Sequence, residues 1–198
     1  KVVGIILNNE TIYGDNKFLD RVNNLFFEVS YDSFFQINRG VCSKLFNIVK
    51  ENVDDNANIV DLYCGVGTLG INAGSKVNKL FGIEVVKNAI KNAKDNALLN
   101  NLNNTSYFVG DVGKELSKIN EKIDTFIVDP ARSGMDKLAK DMIIKFRPRK
   151  IIYVSCDPMT LARDITDMNN YYKVVDVKGL DMFPYTEHWE SVVILERR

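Results

Sequence analysis

The sequence predicts a doubly wound α/β fold built on a mainly parallel sheet. Three observations carry this expectation. From about residue 36 onward, strand-like and helix-like segments alternate, which is the pattern of βαβ units. A Gly-x-Gly-x-x-Gly run, Gly65-Val66-Gly67-Thr68-Leu69-Gly70, falls between a strand-like stretch and a helix, where backbone amides can approach a ligand closely. Asp157-Pro158 follows another apolar run and supplies a helix N-cap and a first helical residue with its φ already set.

The first 35 or so residues read as β. Val2–Leu7, Thr11–Tyr13 and Leu25–Val29 are apolar or β-rich runs separated by Asn8-Asn9 and Gly14-Asp15-Asn16, so antiparallel hairpins are expected. Residues 41–52 then carry Val41, Leu45, Ile48 and Val49 at helical spacing. Strands are expected at Ile59–Tyr63, Lys79–Glu84, Ser106–Val109, Thr125–Asp129 and Lys150–Ser155, with two late ones at 172–179 and 190–197. Helices are expected at Val85–Asn101, 136–146 and Asp157–Met168. The many asparagines are scattered and read as compositional bias.

Composition excludes several classes. The 198 residues carry 26 basic and 26 acidic side chains, so bulk charge alone would not grip nucleic acid. No apolar run reaches the roughly 18–20 residues that span a bilayer, and no signal peptide is visible. Three widely spaced cysteines, Cys42, Cys64 and Cys156, make no disulfide framework and suggest a reducing, cytoplasmic setting.

Candidate site residues cluster at predicted strand ends. Asp61 precedes Gly65 and Gly67, and Glu84 ends the next strand, where an acid accepts hydrogen bonds from ribose hydroxyls. An acid before the glycines repels phosphate and suits a ligand with a cationic amino-acid end, such as S-adenosylmethionine. Asp111, after the third strand, is placed for an adenine amino group. Asp129-Pro130-Ala131-Arg132 ends the fourth strand, where ligands of open sheets bind. The aromatic that would stack on a planar amino group is missing after Pro130, and a fixed cation replaces it. Cys156 stands between a strand end and a helix start, so a thiolate stabilised by the helix dipole is expected there, a plausible nucleophile. Cys42 and Cys64 read as packing residues. His188, the only histidine, has no ligand pattern around it, and no metal is expected. Glu187 and Glu190 are possible general bases, though each reads locally as a solvated acid. The basic stretch Lys145–Lys150 reads as a solvated loop more than a phosphate contact.

Five runs in order, Phe34–Asn38, Asp61–Thr68, Asp129–Arg132, Ser155–Asp164 and Phe183–Glu190, resemble the RNA uracil-5-methyltransferase family. The resemblance covers about residue 30 to the end. It implies a class I, Rossmann-like methyltransferase domain at 36–198, with a seven-stranded, mostly parallel sheet whose last strand is antiparallel, preceded at 1–35 by the remnant of a β-rich region. It further implies methyl transfer from S-adenosylmethionine to C5 of a uridine in RNA. Cys156 matches the nucleophile that adds to C6 and Glu190 the base that removes the C5 proton. Asp129 and Arg132 match the turn holding the pyrimidine, and Gln36, Tyr63, Glu84, Asp111 and Asp129 fall at or near cofactor positions. A target base within folded RNA must be extruded before a thiolate can reach it.

Many members of that family carry upstream cysteines for an iron–sulfur cluster and a small RNA-binding β-barrel. Neither occurs in this sequence, so a monomeric catalytic-domain fragment with weak RNA affinity of its own is expected, with 23S ribosomal RNA favoured over transfer RNA as substrate. The alternatives are a cytosine-5 RNA methyltransferase, which would need Pro-Cys where Pro130-Ala131 stands, an NAD-dependent oxidoreductase, which Asp61 disfavours, and a non-catalytic S-adenosylmethionine- or RNA-binding module.

Overall fold

The computed structural model describes residues 2–36 and 38–198; Ile37 of the Phe34–Asn38 run lies outside them. Two hairpins come first: β1 (Gly4–Leu7) with β2 (Glu10–Gly14), and β3 (Lys17–Val22) with β4 (Leu25–Ser30). Then follow α1 (Arg39–Asn52), β5 (Asn58–Leu62), α2 (Thr68–Gly74), β6 (Lys79–Glu84), α3 (Lys87–Leu99), β7 (Thr105–Val109), α4 (Val112–Leu116) and β8 (Thr125–Val128). The chain continues through α5 (Lys137–Phe146), β9 (Lys150–Ser155), α6 (Pro158–Met168), β10 (Tyr172–Leu180) and β11 (Glu190–Arg197).

Seven strands form one sheet in the order β10-β11-β9-β8-β5-β6-β7. β5 through β9 pair in parallel, and β11 inserts antiparallel between β9 and β10. Each central strand is buried on both faces, so its residues are mostly apolar rather than alternating, with the buried Asp61 of β5 an exception. The period of two still decides which layer each side chain enters. Ile59, Ile127, Ile152 and Ile194 join α1, α2 and α3 on one face. Val60, Leu62, Phe126, Val128 and Tyr153 join α4, α5 and α6 on the other. This is the doubly wound arrangement expected from the alternation of elements.

Two elements were not anticipated. In β3 the inward positions are Asp20 and Val22; the buried acid, paired with Arg39 at 3.0 Å, breaks the apolar alternation that marks a strand. The helix α4 has only five residues, too few to show a helical period.

The asparagines prove to be structural rather than compositional noise. On α3, Asn96 accepts from Glu28 N at 2.6 Å and donates to Glu28 O at 3.1 Å, while Asn100 does the same for Phe26 at 3.0 and 2.7 Å. Asn92 bonds Ser30 Oγ one turn earlier. These side chains occupy the backbone groups of β4 as a neighbouring strand would. Asn96 also donates to Val66 O at 3.1 Å, tying the second hairpin to the glycine loop.

The Lys145–Lys150 stretch lies at the amino end of β9, across the sheet from the strand ends that carry the candidate site. Arg149 and Lys150 are engaged there with Asp54. No helix among the described residues is long and apolar enough to cross a membrane.

Candidate active site

At the carboxyl ends of β5, β8 and β9 lies a cavity of about 430 Å³. Cys156, Glu190, Asp129 and Arg132 line it together, as do Gln36, Tyr63, Gly65 and Glu84. Eight of the eleven residues singled out in the sequence therefore meet in one space. The other three stand outside its lining. Asp61 lies buried beneath the glycine loop, Gly67 is the N-cap of α2, and Asp111 is the N-cap of α4, with its side chain accepting from Lys114 N at 3.2 Å. Phe34 and Phe183 also line the cavity. Sequence reading quoted both without giving them a role; the signal was their position beside Gln36 and before Pro184.

The nucleophile and base candidates come from neighbouring strands. Ser155 of β9 pairs with Ser191 of β11, so the next residue outward on each strand, Cys156 and Glu190, sits at the cavity. Glu190 is buried, with 3% of its surface exposed, which overturns the local reading of a solvated acid; Glu187 is exposed. Burial pushes the Glu190 carboxyl up to about 7, the range that suits a general base at neutral pH.

The thiol behaves differently from expectation. Burial, and then the nearby Glu190 carboxylate, push Cys156 above its ordinary value, and the neighbouring Arg132 guanidinium pulls the other way. The helix terminus beside it is already engaged. Asp157 accepts from Met159 N and Thr160 N, both at 2.9 Å, so free donors and dipole are spent on its carboxylate. Cys156 is partly accessible, whereas Cys42 and Cys64 are buried in the core, as expected of packing residues.

Asp129 is raised well above the usual carboxylate range, chiefly by burial, with Glu190 and Asp61 adding repulsion.

The cofactor half centres on the loop after β5. Gly65 has φ +53°, and a Cβ there would meet nothing within 4 Å, so its backbone faces open space in the cavity. Its amide donates to Glu84 Oε2 at 3.3 Å. Asp61 accepts from Gly70 N at 2.8 Å through one carboxylate oxygen; the other is buried without a partner. Burial pushes this acid up to about 7, against the Gly70 bond. Gln36 Oε1 is likewise buried and unpartnered. Orphaned acceptors cost roughly 1–3 kcal/mol each and fit a ligand that brings donors, such as the ammonium and hydroxyls of S-adenosylmethionine. Tyr63 holds a left-handed backbone, φ +59°, unusual for a bulky residue.

A doubly wound sheet in this strand order, with a glycine loop after its central strand and an acid ending the next, defines a Rossmann-like methyltransferase. The chain belongs to the tRNA (uracil-5-)-methyltransferase family, whose profile matches residues 3–122 and 107–198. It is 44% identical over 191 residues to an uncharacterized RNA methyltransferase of Clostridium acetobutylicum, covering 95% of this chain and 42% of that protein. It is 36% identical over 205 residues to one of Bacillus cereus, covering 100% and 45%. The chain thus spans less than half the length of these relatives. Among solved structures, the Pyrococcus abyssi tRNA (uracil-54, C5)-methyltransferase in complex with S-adenosyl-L-homocysteine superposes with TM-score 0.83 and 32% identity, covering 92% of this chain and 45% of that one. Trm5b from Pyrococcus abyssi, at TM-score 0.71 and 18% identity over 94% of this chain and 58% of that one, shares the fold.

Proposed function

We propose that this chain is the catalytic part of an S-adenosylmethionine-dependent enzyme that methylates C5 of a uridine in RNA. The observation that carries the reading is the convergence of the Cys156 thiol and the buried Glu190 carboxylate, from adjacent strands, on the cavity that Arg132 and Asp129 also line. C5 of uracil is a weak nucleophile. Addition of the Cys156 thiolate to C6 turns the ring into an enolate whose C5 can attack carbon. Arg132 stabilises the charge that develops on the carbonyl edge, and Asp129 beside it holds the pyrimidine. Bound S-adenosylmethionine would supply an electrophilic methyl group to C5, its S–CH3 bond breaking as S-adenosylhomocysteine leaves. Glu190 then takes the C5 proton, the C5–C6 double bond re-forms, and the Cys156–C6 bond breaks.

The cofactor reading is supported by the unpartnered acceptors of Asp61 and Gln36 and by Glu84 at the end of β6. RNA as partner is supported by the mouth of the cavity. Phe34 there is 73% exposed, and Trp189, which precedes Glu190 in the chain, is 55% exposed; exposed aromatics suit unstacked bases. Residues 1–35 we assign to a β-rich region preceding the methyltransferase domain at 36–198; their strands form two small sheets apart from the main one. The chemistry is the same for a ribosomal and a transfer RNA uridine. The transfer RNA reading draws on the 32% identity to the Pyrococcus abyssi enzyme, and mapping methylated positions in 23S and transfer RNA after incubation with the intact protein separates the two.

The test is covalent trapping. RNA carrying 5-fluorouridine has no removable C5 proton, so the adduct should survive denaturation. Cys156→Ala should abolish it. An adduct that persists in that variant would exclude Cys156 as nucleophile.

A further inference from the structure

We propose that Thr160, Arg163 and Asp164 of α6 are positioning residues that hold Arg132 in place beside the Cys156 thiol; the role rests on the uracil-methylation reading. The segment between β8 and α5, residues 129–136, has no regular structure and carries Asp129 and Arg132. Three contacts from α6 fix it. Thr160 Oγ1 donates to Arg132 O at 3.0 Å, Arg163 Nη2 donates to Ser133 O at 2.8 Å, and Met135 N donates to Asp164 Oδ2 at 2.7 Å. The approach is so close that a Cβ on Gly134 would stand 2.5 Å from both Arg163 Nη2 and Asp164 Oδ2, and Gly134 has φ +74°.

Asp164 is fully buried and gathers the other half of the site. It accepts from Tyr153 Oη at 2.7 Å, Lys140 Nζ at 3.0 Å and Arg163 Nε at 3.0 Å. Tyr153 stands on β9, three residues before Cys156. One carboxylate therefore joins the strand bearing the thiol to the loop bearing the guanidinium. The carbonyls gripped are those of Arg132 and Ser133, so the Arg132 side chain projects from a stem fixed on its carboxyl side. A displacement of about 1 Å at a reacting group can cost roughly 100-fold in rate, which is the scale on which such a clamp acts. Burial opposes ionisation of Asp164, but its bonds from Met135, Tyr153, Arg163 and Lys140 outweigh burial and hold the carboxyl below its ordinary value. The hub thus stays charged and bonded throughout the neutral range.

The experiment compares Thr160→Val, Thr160→Ser and Arg163→Gln in the intact protein. Three quantities are read: kcat for uridine methylation, KM for S-adenosylmethionine, and the pH midpoint of Cys156 alkylation by iodoacetamide. Alkylation is read by mass spectrometry on the peptide that carries Cys156; Cys42 and Cys64 are buried. Thr160→Val and Arg163→Gln should lower kcat roughly 10- to 100-fold, leave KM for the cofactor unchanged and raise the alkylation midpoint, since a displaced Arg132 no longer favours the thiolate. Thr160→Ser should restore both. An unchanged midpoint in Thr160→Val and Arg163→Gln, with only a lower melting temperature, would overturn the positioning role. A wild-type protein that methylates no uridine would overturn the functional reading instead, and the alkylation comparison would still decide the clamp. Asp164→Asn is the harsher variant; if it fails to fold, Thr160→Val still carries the test.

Discussion

Cys156 and Glu190 reach the cavity from one strand pair, because the Ser155–Ser191 pairing of β9 with β11 places them at adjoining strand ends. A thiol and a base separated by 34 residues in sequence are thereby set by backbone register alone. Shifting that register by one residue would turn every side chain of β11 to the opposite face.

Glu190→Gln should separate methylation from release. The variant keeps the shape and loses the base, so a C5-methylated adduct on Cys156 should accumulate, with multiple turnover falling at least 100-fold, a typical general-base contribution. Denaturing gels after reaction with ordinary RNA would show the retained complex. Normal turnover would remove Glu190 from the mechanism.

The same substitution should stabilise the ligand-free protein at alkaline pH. Glu190 titrates near 7 when folded, against an ordinary value of 4.5. Between those values the folded protein holds a proton that the unfolded chain has lost, so stability falls as pH rises through that window. Glu190→Gln removes the penalty, with a ceiling of about 3 kcal/mol at pH 8 and little gain near pH 4.5. Urea denaturation at both pH values is the measurement, and equal gains at both would refute the cause.

Asp61→Asn should weaken S-adenosylmethionine binding about tenfold or more, equivalent to about 1.4 kcal/mol. The amide can still accept from Gly70 N, so the loop is retained, but the negative charge beneath the glycine loop is lost. Calorimetric titration reads this directly. Wild-type affinity in the variant would show that the unpartnered Asp61 oxygen does not serve the cofactor.

Trp189 is the single tryptophan of the chain, so intrinsic fluorescence of this chain reports one place, next in sequence to Glu190. Single-stranded RNA containing uridine should quench it, and Trp189→Ala should weaken binding by roughly 1–3 kcal/mol, the worth of one base stacked on an aromatic. Fluorescence indifferent to RNA would place the RNA path elsewhere.

Much of this was legible in the sequence, for identifiable reasons. The limits of β6, β9 and β11 coincide with their apolar runs because both faces of these strands are buried and nothing polar interrupts them. Asp157 and Pro158 marked the start of α6 through local chemistry. The burial of Glu190 was not legible, because it arises from enclosure by β9, β10 and the cavity walls, and its neighbours Glu187 and His188 carry no trace of it. The thiol's upward shift was not legible for a related reason: it comes from burial and from the Glu190 carboxylate, which only the fold brings beside Cys156. The Asp164 hub was quoted only as the end of a motif, since its donors lie on three other segments.

The asparagine side chains of α3 have a consequence for self-association. A two-stranded hairpin ordinarily leaves a row of free amides and carbonyls that can recruit a further strand from another molecule. Successive residues four apart on a helix rise about 6 Å, close to the roughly 6.6 Å between like-facing strand residues. Asn96 and Asn100 can therefore meet Glu28 and Phe26 in turn. The outer edge of β4 is closed by a helix acting in place of a strand, and the hairpin needs neither proline nor bulge to stay single. Truncating both amides would leave that edge open to intermolecular pairing, so protection of this edge rests on two residues far from any chemistry.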